Sequence, residues 1–230
     1  KIVEVDRSFR FRASHPCPMA GQAGGLVVDR NIQSLLALDC GNGNVRRLGQ
    51  NGKLETLVAN SGGPSGFIVT SIALDSNGAI LIGTEGASIR EFDQKGTFLG
   101  ALNEESFGAV TDMAATDEGD VLVLDSSAAQ AKRFDRHGWL RGSCGGMGEY
   151  EGQFQKPSRL CFDSKGNLYV FDSGQKRIQR FTPSGAFDKI LPINADVAGG
   201  LSDIEDLVMR NGSLYALDGK RKSVFVFSAE

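Results

Sequence analysis

This sequence predicts an all-β fold, a five-bladed β-propeller of four-stranded antiparallel blades, and three observations carry the prediction. A pattern of about 46 residues recurs five times and fills the chain. Its second strand ends at Asp39, Thr84, Asp125, Asp172 and Asp218, in steps of 45, 41, 47 and 46 residues. No long stretch keeps a helical apolar period, while 30 Gly against 6 Pro suit many tight turns between short strands. Each copy reads as an apolar strand, an Asp/Gly turn, a second apolar strand, a polar turn, a third strand ending in an aromatic residue or Leu, and another Gly turn, which is one propeller blade.

Repeats running from end to end without a Pro- or Ser-rich linker make residues 1–230 one domain. The chain opens on a strand-like stretch, about residues 1–12. The first blade covers about residues 24–58 and carries Arg30-Asn31 at its first turn. The second, about 68–102, runs through Ile72–Leu74, the turn Asp75–Gly78, Ile80–Ile82, Ile89–Phe92 and Phe98. The third, about 110–143, repeats this with Met113–Ala115, Val121–Leu124, Ala131–Phe134 and the turn Asp135–Gly138. The fourth, about 157–192, is the most regular, with Leu160–Phe162, Asp163–Gly166, Leu168–Phe171, Ile178–Phe181 and Phe187–Leu191. The fifth, about 203–228, stops at its third strand, Val224–Phe227. The simplest repair gives its missing outer strand to Ile2–Val5, which closes the ring and removes two sheet edges. A separate N-terminal hairpin or a sixth, partial blade is the alternative.

These blades resemble NHL repeats. The fourth matches that pattern at Phe154, Pro157, Asp163, Gly166, Asn167, Tyr169, Val170, Asp172, Arg177, Ile178, Phe181 and Gly185. The other blades depart from it, with Asn44, Ser88, Gln130 and Ser223 in the slot of Arg177, and Thr84 in that of Asp172. The resemblance implies a bracing Asp172–Arg177 pair in the fourth blade. It also implies three roles: a zinc-dependent amidating lyase, a single-stranded RNA binder, or a module that binds proteins, peptides or glycans. His15 and His137 are too few for the lyase's ligand set.

Twenty-five Lys and Arg against 28 Asp and Glu leave a net charge of −3, without the basic footprint of a nucleic-acid binder. No apolar run reaches membrane-spanning length. Cys17, Cys40, Cys144 and Cys161 form no metal-ligand spacing. Paired locally as Cys17–Cys40 and Cys144–Cys161 they fit an exported protein, periplasmic or extracellular. Unpaired, Cys161 reads as a small buried hydrophobe.

Loops entering the inner strands share one face with the turns between second and third strands, and only that face varies in length and chemistry. It carries residues 61–65, 103–108, 196–203 and the longest loop, 142–156. There Met147, Tyr150, Glu151 and Phe154, with Lys176 on a neighbouring turn, suit a protein or peptide partner, unless Phe154 turns into the inter-blade core. Aligned inner strands also place Asp112, Arg159 and Glu205 around the central channel, as a structural network or as a small site. The reading is a non-enzymatic binding or scaffold module without a cofactor. Its alternatives are a lactonase- or hydrolase-like channel enzyme, with Asp112, Glu205 and, as a further candidate, Asp206 to hold a Ca²⁺-like ion, and a component of an oligomeric assembly.

Overall fold

The structure, a computed structural model, describes the chain except residues 1, 6–9, 22, 30, 62–67, 86–88, 103–106, 117, 193–200, 202 and 229–230. The chain folds as a five-bladed β-propeller, with no helix among the described residues. Of the loops singled out in the sequence, 62–65, 103–106 and 196–200 lie outside the described residues.

Two strands, β1 (Ile2–Val5) and β2 (Phe11–His15), precede the blades. Blade 1 is β3 (Ala23–Asp29), β4 (Ser34–Asp39), β5 (Asn44–Leu48) and β6 (Leu54–Val58). Blade 2 is β7 (Val69–Leu74), β8 (Ile80–Thr84), β9 (Ile89–Phe92) and β10 (Phe98–Leu102). Blade 3 is β11 (Val110–Ala115), β12 (Val121–Asp125), β13 (Gln130–Phe134) and β14 (Leu140–Gly145). Blade 4 is β15 (Pro157–Phe162), β16 (Leu168–Asp172), β17 (Arg177–Phe181) and β18 (Phe187–Ile190). Blade 5 is β19 (Ile204–Arg210), β20 (Ser213–Asp218) and β21 (Ser223–Ser228). All pairings between these strands are antiparallel.

The N-terminal stretch departs from its expected place. Ile2–Val5 pairs with β2 as a two-stranded sheet of its own, and blade 5 has three strands among the described residues. The reason is local: Val5 has its own partner six residues on, Phe11, and a short hairpin closes more readily than a strand pairing across the ring.

Alternation gives blades 2, 3 and 4 two apolar faces, because their second strands are covered on both sides. β8, β12 and β16 are buried at every position. Successive blades meet through hydrophobic cores: Leu36 and Leu38 against Ile72 and Ile82, Leu81 and Ile89 against Met113 and Val123, Leu124 and Ala131 against Leu160 and Val170, and Phe171 and Ile178 against Leu207 and Leu214. Each inner strand carries a β-bulge at the same step, between Ala23 and Gly25, Val69 and Ser71, Val110 and Asp112, Pro157 and Arg159, and Ile204 and Asp206. A bulge turns the next side chain to a new direction, here at the start of the strand that lines the channel.

Candidate functional site

The Asp that ends the second strand holds the loop face together. A short carboxylate at that point can accept from the loop entering the blade and from the turn leaving it. Asp39 accepts from the backbone N–H groups of Ala20, Gly21 and Gly41. Asp125 accepts from those of Gly108, Ala109 and Ala128. Asp172, wholly buried, accepts from Gln155 at 2.7 Å, Lys156 at 2.9 Å, Gly174 at 2.9 Å and Gln175 at 3.2 Å. No Asp172–Arg177 ion pair forms, contrary to what the resemblance implies. The backbone N–H groups fill Asp172, and Arg177 instead donates to the carbonyls of Glu149 and Tyr150.

Arg177, Gln175 and Gln179 join Asp172 in fixing the long loop. Gln175 Nε2 donates to the carbonyls of Gly148 and Gln153, while buried Gln179 donates to the Gln153 carbonyl and accepts from the Gly152 N–H. Phe154 N–H donates to Gly146, and Gly148 N–H to Phe154. Phe154 belongs to the core, not to the binding surface: it is fully buried, 5.5 Å from the Phe181 ring. With that anchor inside, the loop crest turns outward. Tyr150 is 80% exposed and Met147 65% exposed, and Glu151 and Lys176 are also exposed. Gln175 and Gln179 went unremarked in the sequence, although a Gln inside the apolar strand Arg177–Phe181 is a signal, since a buried amide needs partners.

The channel ring is corrected by one residue. The bulge in β19 puts Asp206, not Glu205, in register with Arg159 and Asp112. Glu205 contributes its carbonyl, which accepts from Arg159 Nε, while Arg159 Nη1 donates to the Ser158 carbonyl at 2.6 Å. Asp112 accepts from its neighbour Met113 N–H at 2.9 Å and, across the blade boundary, from Leu160 N–H at 2.8 Å. Burial pushes the Asp112 carboxyl up to about 7, with Arg159 pulling the other way. Asp206 is raised too, chiefly by desolvation: its surface is open to the channel, but protein crowds its carboxyl. No group of three or more His, Cys, Asp or Glu among the described residues is placed to hold a metal ion.

All four cysteines are free, which corrects both expected pairs. Cys144 packs in the core between blades 3 and 4, whereas Cys161 lies in the core between blades 4 and 5. Burial pushes the Cys144 thiol up to about 12 and raises Cys40 and Cys161 as well, so these are packing groups, not nucleophiles.

A ring of four-stranded repeats with variable loops on one face defines a β-propeller module. The NHL repeat family model matches residues 154–181, from the buried Phe154 to the end of the third strand of blade 4. The chain is a β-propeller that carries an NHL repeat in its fourth blade. No curated protein sequence matches it. Among solved structures, a streptogramin B lyase superposes with a TM-score of 0.70 at 13% identity, covering 98% of this chain and 75% of that one. A nidogen/laminin complex chain gives 0.74 at 18% identity, covering 91% and 77%. A gluconolactonase from Xanthomonas campestris gives 0.69 at 15% identity, covering 92% and 74%. At these identities the likeness is one of fold.

Proposed function

We propose that this propeller is a non-enzymatic binding module that presents the crest of the 142–156 loop to a protein or peptide partner. One observation carries the reading: a large aromatic, Tyr150, stands 80% exposed on a loop whose backbone is held by Asp172, Gln175, Arg177 and Gln179. Exposing Tyr and Met on fixed backbone forgoes burial, yet it gives a partner an anchor with little ordering entropy left to lose. NHL propellers commonly mediate protein interactions, and a nidogen/laminin complex is among the solved structures of this fold. Glu149 and Glu151 flank the crest and Lys176 stands on a neighbouring turn, so the patch suits a partner with mixed charge. The extracytoplasmic location belongs to the same proposal, now without a disulfide to support it.

The test compares wild type with Tyr150→Ala as bait. Capture of the wild-type partner is expected to fall at least tenfold while the melting temperature changes by less than about 2 °C. Equal capture by both baits would remove the loop crest from the proposal.

A second reading, a channel hydrolase, rests on Asp112, whose carboxyl at about 7 lies in the range of a general acid or base. Lactonase and lyase structures share the fold. Assayed on a panel of γ- and δ-lactones with added Ca²⁺, the protein is expected to show no turnover that Asp112→Asn abolishes. Turnover lost in that variant would exchange the two readings.

A further inference from the structure

The repeat lets each position be compared with its four equivalents, and the two end blades break the comparison in the same way. Leu26 of β3 is equivalent to Ile72, Met113, Leu160 and Leu207, each of which packs on the preceding blade. Those four are buried, but Leu26 is 48% exposed, and Val28 beside it is exposed too. At the other end, Leu217 of β20 is equivalent to Leu38, Leu124 and Phe171, which face the following blade and are fully buried. Leu217 is 40% exposed, as are Val208, Val224 and Val226 to similar degrees on the same face. The hydrophobic cores among the described residues lie between blades 1 and 2, 2 and 3, 3 and 4, and 4 and 5, and none joins 5 to 1.

The N-terminal hairpin belongs to this gap. In blades 2, 3 and 4 the last residue of the third strand pairs with the residue six further on, and the outer strand then skips one residue: Phe92 with Phe98, Phe134 with Leu140, Phe181 with Phe187. β1 and β2 repeat that register, Val5 with Phe11, with the same skip. The hairpin therefore has the register of the third-and-outer-strand half of a blade. It stands beside the uncovered face of blade 1, where Glu4 and His15 line a cleft of about 610 Å³ with Val28, Leu35 and Leu48. The channel breaks at the same place. Asp112 accepts from its own neighbour and from Leu160 of the next inner strand, whereas Asp206 accepts from Leu207 and from no next strand among the described residues.

We propose that the assembled ring has a sixth blade, whose outer half is β1–β2 and whose two inner strands, with the missing outer strand of blade 5, come from the same polypeptide following blade 5. Outer strand, inner strand, second strand is the order in which the repeat continues after a third strand, so the three missing strands form one uninterrupted segment, whereas a second copy would have to supply them from the middle of its own ring. Third-strand equivalents Val45, Ile89, Ala131, Ile178 and Val224 set the repeat length, and from it the segment is roughly 34–39 residues. Its two inner strands bury Leu217, Val224 and Val226 on one side and Leu26 and Val28 on the other. Such faces, left open, promote self-association.

Two measurements test this. In the 230-residue chain, Leu26→Cys with Leu217→Cys reports whether blade 5 closes directly on blade 1. No intramolecular disulfide is expected on oxidation, and the chain is expected to bind the dye ANS and to self-associate. A second variant replaces residues 229–230 by a copy of residues 136–176, which carries one outer, one inner and one second strand from this chain's own repeat. That variant is expected to be monomeric, to lose ANS binding and to melt about 10 °C higher. An intramolecular disulfide between the two introduced cysteines in an ANS-silent monomer, or a symmetric dimer cross-linked between copies through the same positions, would overturn the proposal; so would an added segment that stays unfolded and leaves the melting temperature unchanged.

Discussion

Asp172→Ala is expected to destabilise the protein by about 4 kcal/mol, far more than removing an exposed carboxylate. The carboxylate is fully buried and accepts from four backbone N–H groups and from Gln175 Nε2 at 2.9 Å. Alanine leaves those donors in a site without a replacement acceptor, and each unsatisfied buried group costs about 1–3 kcal/mol, less what entering water recovers. Asp172→Asn keeps the shape but turns an amide NH₂ toward N–H donors, so about 2 kcal/mol is expected for it. Urea unfolding measures both. Hydrogen exchange should place the damage in the 142–156 loop, because Gln155 and Lys156 are two of the four donors. A loss below about 1 kcal/mol for Ala would mean that the loop is held by Phe154 and the glutamines and that the Asp clamp is secondary. Together with Tyr150→Ala, this separates the loop's scaffold from its crest.

Much of this architecture was legible because the repeat writes its turns and its alternation in residues that have few other uses. Asp75–Gly78 and Asp163–Gly166 become tight turns in which Gly78 and Gly166 sit at φ of 81° and 80°, a region that disfavours a side chain. The second strands of blades 2, 3 and 4 are buried on both faces and read as continuous apolar runs. What failed to show was anything set by a one-residue shift or by the side of a sheet. Ile204-Glu205-Asp206 offers two acids for one channel position, and only the bulge decides between them. Cys144 and Cys161 are close in sequence, yet they serve the cores on opposite sides of blade 4. The N-terminal stretch reads most simply as a lone closing strand, with a separate hairpin or a partial blade as the alternative, until its pairing with β2 is seen. Tyr150 and Phe154, four residues apart, likewise separate into surface and core only once Met147 and Phe154 bridge across the loop.

The channel carboxylate gives the protein a pH dependence opposite to that of a stabilising surface Asp. Asp112 has its folded value raised from 3.8 to about 7, so between those values the folded state holds a proton that the unfolded state has released. Stability is then greatest in acid as far as this group is concerned, falls as pH rises from about 4 to about 7, and is level above that. About 4 kcal/mol is the ceiling for such a displacement, and partial access of channel water brings the expectation to about 2 kcal/mol. Asp93, Asp135 and Asp163, whose values are lowered, act below that window, and they weaken the fold only as pH drops toward and below their ordinary value of 3.8. Asp206, raised as well, adds in the same sense as Asp112. The difference between wild type and Asp112→Asn, measured by chemical unfolding at each pH from 4 to 8, isolates the one carboxyl. In acid the protonated carboxyl and the Asn amide each offer one carbonyl acceptor to the Leu160 and Met113 N–H groups, so the two proteins start close together, and wild type is expected to lose about 2 kcal/mol relative to the variant toward pH 8. Arg159→Ala removes the positive charge that opposes the rise and should carry the falling limb above pH 7. Parallel curves for wild type and Asp112→Asn would show that the carboxyl keeps an ordinary value, and the general-acid reading of the channel would go with it.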